Sequence, residues 1–264
     1  MKDIEDLPYL ELADGQFDRD PVDTLRGARV SSPVVRTARG LWVLDGAVMD
    51  QLSRDRRLGD VHAGELVHLV GLREDGPAYR FRNEMLLNQH GRAHAALRAV
   101  VSAYFSPSGI EQLRGHIREI VTDLLDQCPP DRPVQFYDDV CSHVPARLFC
   151  RMAGMPESEA PFVTRISDAV LQIFARDPQL AEDIESSYNE LFDYVEKLIV
   201  SRRLPDGSYA GEDLISQLLR AEGAGRMTEQ QVYDMVVMLL EASTDNTSHQ
   251  MAMAVAEILE HRDQ

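Results

Sequence analysis

Between Thr228 and Glu260 nothing in the sequence stops a helix, and this run constrains the rest of the chain more than any other. Thr228 followed by Gln231 forms a capping-box pattern, in which two side chains satisfy two orphan backbone donors. At about 1.5 Å per residue the predicted helix over 228–260 is a rod of roughly 50 Å, about the width of a domain. It must therefore cross a core rather than lie on one. Val232, Met235, Val236, Val237, Met238, Leu239 and Leu240 make its first half apolar nearly all round, the mark of a buried helix. Its middle then turns polar from Glu241 to His249, and Met251, Met253, Val255, Ile258 and Leu259 resume the apolar pattern.

A polar interruption in a buried helix costs about 1–3 kcal/mol for each unsatisfied neutral group, and more for a carboxylate. Such a defect marks a candidate site. Glu241 and Asp245 share a face, while Ser243, Asn246, Thr247 and His249 stand where stronger helix formers would be expected, so a local widening or kink is anticipated. The plainer reading is a solvent-facing patch midway along a surface helix.

The chain of 264 residues, 44% hydrophobic and 6% aromatic, can bury a substantial core. No apolar run reaches the ~20 residues that span a bilayer, and the acidic start Met1-Lys2-Asp3-Ile4-Glu5-Asp6 lacks the pattern of a signal peptide, so no membrane partner is expected and a cytoplasmic location is. Cys128, Cys141 and Cys150 are odd in number and widely spaced, which suggests packing thiols rather than disulfides or a metal cluster. A net charge of −17 argues against a nucleic-acid surface.

Residues 1–30 read as a lead-in, polar up to about Asp23 and extended apart from one short helix. Residues 33–44 read as a β-hairpin split by Ala38-Arg39-Gly40, and Ala47 to Asp55 as a helix. Residues 57–88, with Gly59, Gly64, Gly71, Gly76 and Pro77, read as a long irregular connection. Helical periodicity returns over Gly91 to Ala103 and Ser108 to Gln127, and Val134-Gln135-Phe136 suggests a lone strand. Further helices are expected at 138–152, 157–174, 180–203 and 213–221. The expectation is one mainly α domain over 1–264, helical from 47 onward, with a small N-terminal hairpin.

Two stretches together resemble the cytochrome P450 family in its soluble bacterial form. Gly91-Arg92-Ala93-His94-Ala95-Ala96-Leu97-Arg98, followed by Tyr104-Phe105-Ser106-Pro107, resembles the family's C helix and the turn after it. Ala242-Ser243-Thr244-Asp245-Asn246-Thr247 is similar to its A-G-x-[DE]-T-[TS] segment, which runs across the oxygen-binding face of haem. The resemblance implies that His94 and Arg98 hold the haem propionates, a role suited to cationic groups one helical turn apart. It further implies that Ala242 and Ser243 line the oxygen groove and that Asp245 with Asn246 or Thr247 handles protons; Thr244 is assigned to the substrate pocket, and Glu241 either faces the substrate there or is paired with a residue that the sequence does not identify. The chain departs from the pattern at Ser243, where glycine is usual, at Asn246, where threonine is usual, and at Glu241, where an apolar residue is usual.

The family's iron-ligating cysteine lies in a Gly-rich F-x-x-G-x-x-x-C-x-G loop beyond the long helix, and its E-x-x-R motif also lies beyond; neither occurs before Gln264. None of the three cysteines follows such a loop. The resemblance thus implies roughly the N-terminal two thirds of a P450, truncated or split. The complete form would use haem, dioxygen and a ferredoxin-type partner to oxidise a small hydrophobic molecule, whereas this chain alone would lack catalysis unless a C-terminal half were supplied separately. Two other readings stay open. One is a haem-free P450-like auxiliary partner of another enzyme; the other is an unrelated all-α enzyme using Glu241 and Asp245 as paired carboxylates.

Overall fold

The computed structural model describes residues 4–12, 15–55, 57–58, 63–102 and 104–263. These fall into two compact units, 1–60 and 61–264, which are taken in turn.

In the first unit a 3₁₀ turn at Ile4–Asp6 precedes helices α1 (Gln16–Arg19) and α2 (Pro21–Ser31). The lead-in is thus more helical than expected. Asp20 accepts a hydrogen bond from the Asp23 backbone and Pro21 presets the first turn, so α2 is fixed at its N-terminus although it buries none of its residues. Strands β1 (Val34–Thr37) and β2 (Gly40–Val43) form the expected hairpin, with Val34 opposite Val43 and Thr37 opposite Gly40. Gly40, at φ +112°, supplies the backbone conformation that closes this turn. Asp45 then caps α3 (Gly46–Ser53) through the backbone of Ala47 and Val48.

The second unit is helical. The connection expected over 57–88 is not irregular where it is described: α4 (Ala63–Val70) and α5 (Pro77–Glu84) occupy it, followed by a 3₁₀ turn at Leu86–Asn88. Both helices have eight residues, too short a window for periodicity to stand out among the glycines, which instead mark their ends. Gly71 turns the chain after α4 at φ +79°, and Gly76-Pro77 opens α5. Then come α6 (Gly91–Ser102) and α7 (Pro107–Gln127), close to their expected bounds; Ala103 lies outside the described residues. Val134 to Phe136 forms no strand. Phe136 leads into a π-type turn at Tyr137–Cys141, held by the Asp139 carboxylate accepting from the Gln135 backbone at 2.8 Å.

Helices α8 (His143–Met152), α9 (Ala160–Leu171), α10 (Ala181–Arg202) and α11 (Leu214–Gly223) follow the sequence pattern. The predicted rod over 228–260 is two helices, α12 (Glu229–Glu241) and α13 (Asp245–Glu260), separated by Ala242, Ser243 and Thr244. The capping box at its start is complete: the Gln231 N–H donates to Thr228 Oγ1 at 3.1 Å, and the Thr228 N–H to Gln231 Oε1 at 2.9 Å. α12 packs on α9, α10 and α11, and its residues Val232, Met235, Val236, Val237, Met238 and Leu240 are buried in the main core. The physical cause of the break is competition for backbone groups. Both Ser167 of α9 (3.0 Å) and Ser243 (2.7 Å) donate hydroxyl hydrogen bonds to the Leu240 carbonyl, whereas the Thr244 carbonyl keeps its helical bond from the Ser248 N–H at 3.1 Å.

Candidate active site

Helices α5, α9 and α12 meet where the long pattern breaks. α5 brings two arginines to α12. Arg80 grips Asp234 in a two-pronged ion pair at 2.8 and 2.9 Å, and Arg82 bonds Glu241 through its Nη2. Both members of the second pair are almost wholly buried, 4% and 3% exposed. The Arg82 guanidinium also lies 5.4–5.9 Å from the ring centres of Phe81, Phe174 and Tyr188, a cationic site made by aromatic faces. Burial pushes the Glu241 carboxyl up from its ordinary range, and the neighbouring Arg82 charge opposes that push. Burial likewise pushes the Tyr188 phenol up. The Tyr188 hydroxyl is buried with the pair and lies against it, adding to the opposition to the Glu241 shift, while Arg82 Nε has no hydrogen-bond partner among the described residues.

This pair lines a cavity of about 720 Å³. Met85 and Leu87 form one wall, Asp168, Leu171, Gln172 and Phe174 at the end of α9 another, and Met238, Glu241, Ala242, Asp245 and Asn246 the floor. A second cavity, about 390 Å³ and mostly apolar, is lined by Ile110, Leu113 and Ile117 of α7, Leu148 and Met152 of α8, and Leu239, Ala242, Ser243 and Thr247. The break therefore distributes the predicted site residues. Glu241, Asp245 and Asn246 reach the first cavity, Ser243 and Thr247 the second, and Ala242 both. Thr244 lines neither; it is 2% exposed and its hydroxyl has no partner among the described residues.

Asp245 is exposed and belongs to a separate surface group. Its Oδ1 lies 3.2 Å from His249 Nδ1, and His249 Nε2 lies 3.4 Å from the Tyr137 hydroxyl. Glu241 and Asp245 thus line one cavity but turn to different partners, Arg82 and His249. Among the described residues, the carboxylates and histidine close enough to share an ion are Glu257, Glu260 and His261, exposed at the end of α13.

His94 and Arg98 stand one turn apart on α6, the first half-buried and the second exposed. Among the described residues neither side chain has a hydrogen bond or ion pair, and neither lines the two cavities at the break. Two residues of the site escaped sequence reasoning. Arg82, the partner of Glu241, lies 159 positions away from it, and no local signal links them. Asp168 carried a weak signal, a carboxylate set between Ile166 and the apolar run Ala169-Val170-Leu171 of α9. Burial, and secondarily the charge of Asp245, push the Asp168 carboxyl above its usual range.

No family model matches the chain. Luteothin monooxygenase of Streptomyces thioluteus is 31% identical over 261 residues, a match spanning 98% of this chain and 62% of that protein. Cytochrome P450 monooxygenase PikC of Streptomyces venezuelae is 29% identical over 274 residues, spanning 97% and 61%. The crystal structure of CalO2 superposes with a TM-score of 0.80 at 25% identity, covering 95% of this chain and 62% of that one. The chain belongs to the cytochrome P450 family. It spans about three fifths of the length of the curated P450 relatives it matches.

Haem is the group a cytochrome P450 implies, and the residues present fit part of it. His94 and Arg98, cationic or hydrogen-bonding and without a side-chain hydrogen bond or ion pair among the described residues, suit the two carboxylates of its edge. The cysteines do not suit its iron. Cys150 is fully buried in the core and its thiol is pushed up to about 12 by burial, so it resists becoming a thiolate. Burial pushes Cys141 up too, and Cys128 donates to the Leu124 carbonyl at 3.3 Å.

Proposed function

We propose that this chain forms the substrate-facing and proton-handling part of a haem-dependent monooxygenase that oxidises a small hydrophobic molecule. The observation that carries the proposal is the break at 242–244, which opens a cavity of about 720 Å³ on a segment similar to the family's oxygen-binding helix. Haem, when bound, supplies the activation of dioxygen. His94 and Arg98 hold its carboxylates, and Ala242 and Ser243, small and set outside regular helix, leave room at the floor. Met85, Leu87, Leu171, Phe174 and Met238 give an apolar body its contacts and exclude water. Asp245 and Asn246 share the cavity and can hold a proton there; Thr247 faces the other cavity, which favours Asn246 over Thr247 as the neighbour of Asp245 in this role. The iron-ligating cysteine loop and the contacts to a ferredoxin-type electron donor belong, in this reading, to sequence outside these 264 residues.

The test is a reduced, CO-treated difference spectrum of the chain with added haemin. The thiolate-ligated band is expected to be absent with the chain alone and to emerge when a segment bearing the family's cysteine loop is supplied. A band from the chain alone would refute the assignment of the ligand elsewhere. Retention of haemin should fall about tenfold or more in His94→Ala/Arg98→Ala if these two groups anchor carboxylates. The placement of the three cysteines also favours a second reading, a haem-free P450-like partner of another enzyme; purification with a stable protein partner and without pigment would select it.

A further inference from the structure

One side chain reaches every side of the larger cavity. The floor includes Glu241 at the end of α12, one wall is Met85 and Leu87 directly after α5, and the other is the end of α9 with Phe174 beyond it. The Arg82 guanidinium bonds Glu241 through Nη2, brings Nη1 within 3.8 Å of Met85 Sδ and lies 5.4 Å from the ring centre of Phe174. The backbone extends this hold. The Asn88 amide donates to the Arg82 carbonyl, and the Gln89 amide to the Asn83 and Glu84 carbonyls at 3.2 and 3.1 Å, so the Leu86–Asn88 turn is folded back on the end of α5. Neither stability nor docking calls for an ion pair here. Apolar side chains of similar volume in place of a buried pair are often no less stable, and the run from Val232 to Leu240 leads up to Glu241 as an apolar pattern. Two turns earlier on α12, the bond from Arg80 to Asp234 already docks α5. What a planar fork stacked on aromatic faces adds is direction: it fits one arrangement of its partners, where apolar contacts accept several.

We infer that Arg82 is the positioning residue of this cavity: paired with Glu241, it holds the Met85–Leu87 wall, the Phe174 wall and the floor in one fixed arrangement, and so sets which molecules fit. It acts through Met85, Leu87 and Phe174, the side chains that an apolar body meets. The hold on the walls follows from the packing alone, whereas its effect on fit rests on reading this cavity as the substrate pocket.

Hydrogen exchange of the 264-residue chain, read by mass spectrometry, tests it with Arg82→Met/Glu241→Met, which removes the pair and keeps apolar bulk. The double variant should unfold in urea at a midpoint no lower than that of the unchanged chain. Residues 83–89 and 172–176 should nevertheless exchange about tenfold faster, while 232–240 keep their rate. Arg82→Lys keeps a charge beside Glu241 but lacks the fork and the stacking plane, so it should loosen the same two segments, and it decides the matter if the double variant does not fold. Unchanged exchange in the two wall segments overturns the inference. So does a loss of protection shared equally by 232–240, which would make the pair a general stabiliser. The neutral probe N-phenyl-1-naphthylamine separates this from the pocket reading. It should bind the unchanged chain, be excluded by Leu171→Trp, which fills the cavity, and bind about tenfold more weakly to the double variant. Full binding to the double variant overturns the effect on fit. No binding to the unchanged chain, or binding indifferent to Leu171→Trp, overturns the pocket reading, and the exchange rates then decide for Arg82 by themselves.

Discussion

α12 and α13 arise from one uninterrupted helical pattern, yet their surroundings are opposite. α12 buries eight of its residues, including the charged Asp234 and Glu241; α13 buries only Ser248. Both carry apolar side chains at helical spacing. The difference lies in what packs on them, since α9, α10 and α11 enclose α12, whereas α13 meets chiefly the turn at 137–141 and α8. Met251 joins a small satellite core with Ile120, Leu124, Val140 and Val144, but Met253, Ile258 and Leu259 remain 56–64% exposed. Apolar periodicity announces a face that can be buried; neighbours decide whether it is.

The contrast can be broken most forcefully at the buried charges. Glu241→Gln leaves Arg82 charged and buried, and should destabilise by about 3–5 kcal/mol, against no more than about 1 kcal/mol for Asp245→Asn on the exposed side. Urea unfolding of the two variants compares them; equal losses would mean that the two helices are held alike. Next in size is Leu240→Ala in the core, expected to cost about 2–5 kcal/mol, where Leu259→Ala should stay within about 0.5 kcal/mol. A large loss at Leu259 would show that the α13 face is covered in solution, and sedimentation of Ile258→Lys would then tell whether a second copy covers it. Smaller still, Ser167→Ala deletes the hydroxyl bond to the Leu240 carbonyl and should cost about 1 kcal/mol, because Ser243 still serves that oxygen. Thiol alkylation sharpens the picture without a substitution. Cys150 sits in the main core with its thiol pushed up to about 12, so at pH 8 it stays protonated and should react only on global unfolding. Cys141 lies in the turn against α13 and should react sooner, through local opening of that side.

Local chemistry carried the parts of this fold that are local. The Thr228–Gln231 box, the hairpin around Gly40 and the span of α6 follow from side chains within a few positions of one another. α2 had its own announcement in Asp20-Pro21, a cap followed by a preset first turn, which the polar composition around it masked. At the site, the polar run from Glu241 to His249 marked the break, but not its geometry. Which hydroxyl claims the Leu240 carbonyl depends on Ser167, in a different helix. The partner of Glu241 lay beyond any local pattern for the same reason: a pairing across 159 positions is a property of packing. The division of Ser243 and Thr247 from Asp245 and Asn246 follows only once the helix is cut.

Cutting one helix into two also creates two new ends. The C-terminus of α12 presents carbonyl oxygens and the partial negative end of its dipole, and the N-terminus of α13 presents amide hydrogens and a partial positive end, three residues further on. Leu240 shows the first demand being met, by Ser167 and Ser243. Three residues thus separate two helix ends of opposite partial charge, a local field that an unbroken helix, its peptide dipoles summed from end to end, would not place in its middle.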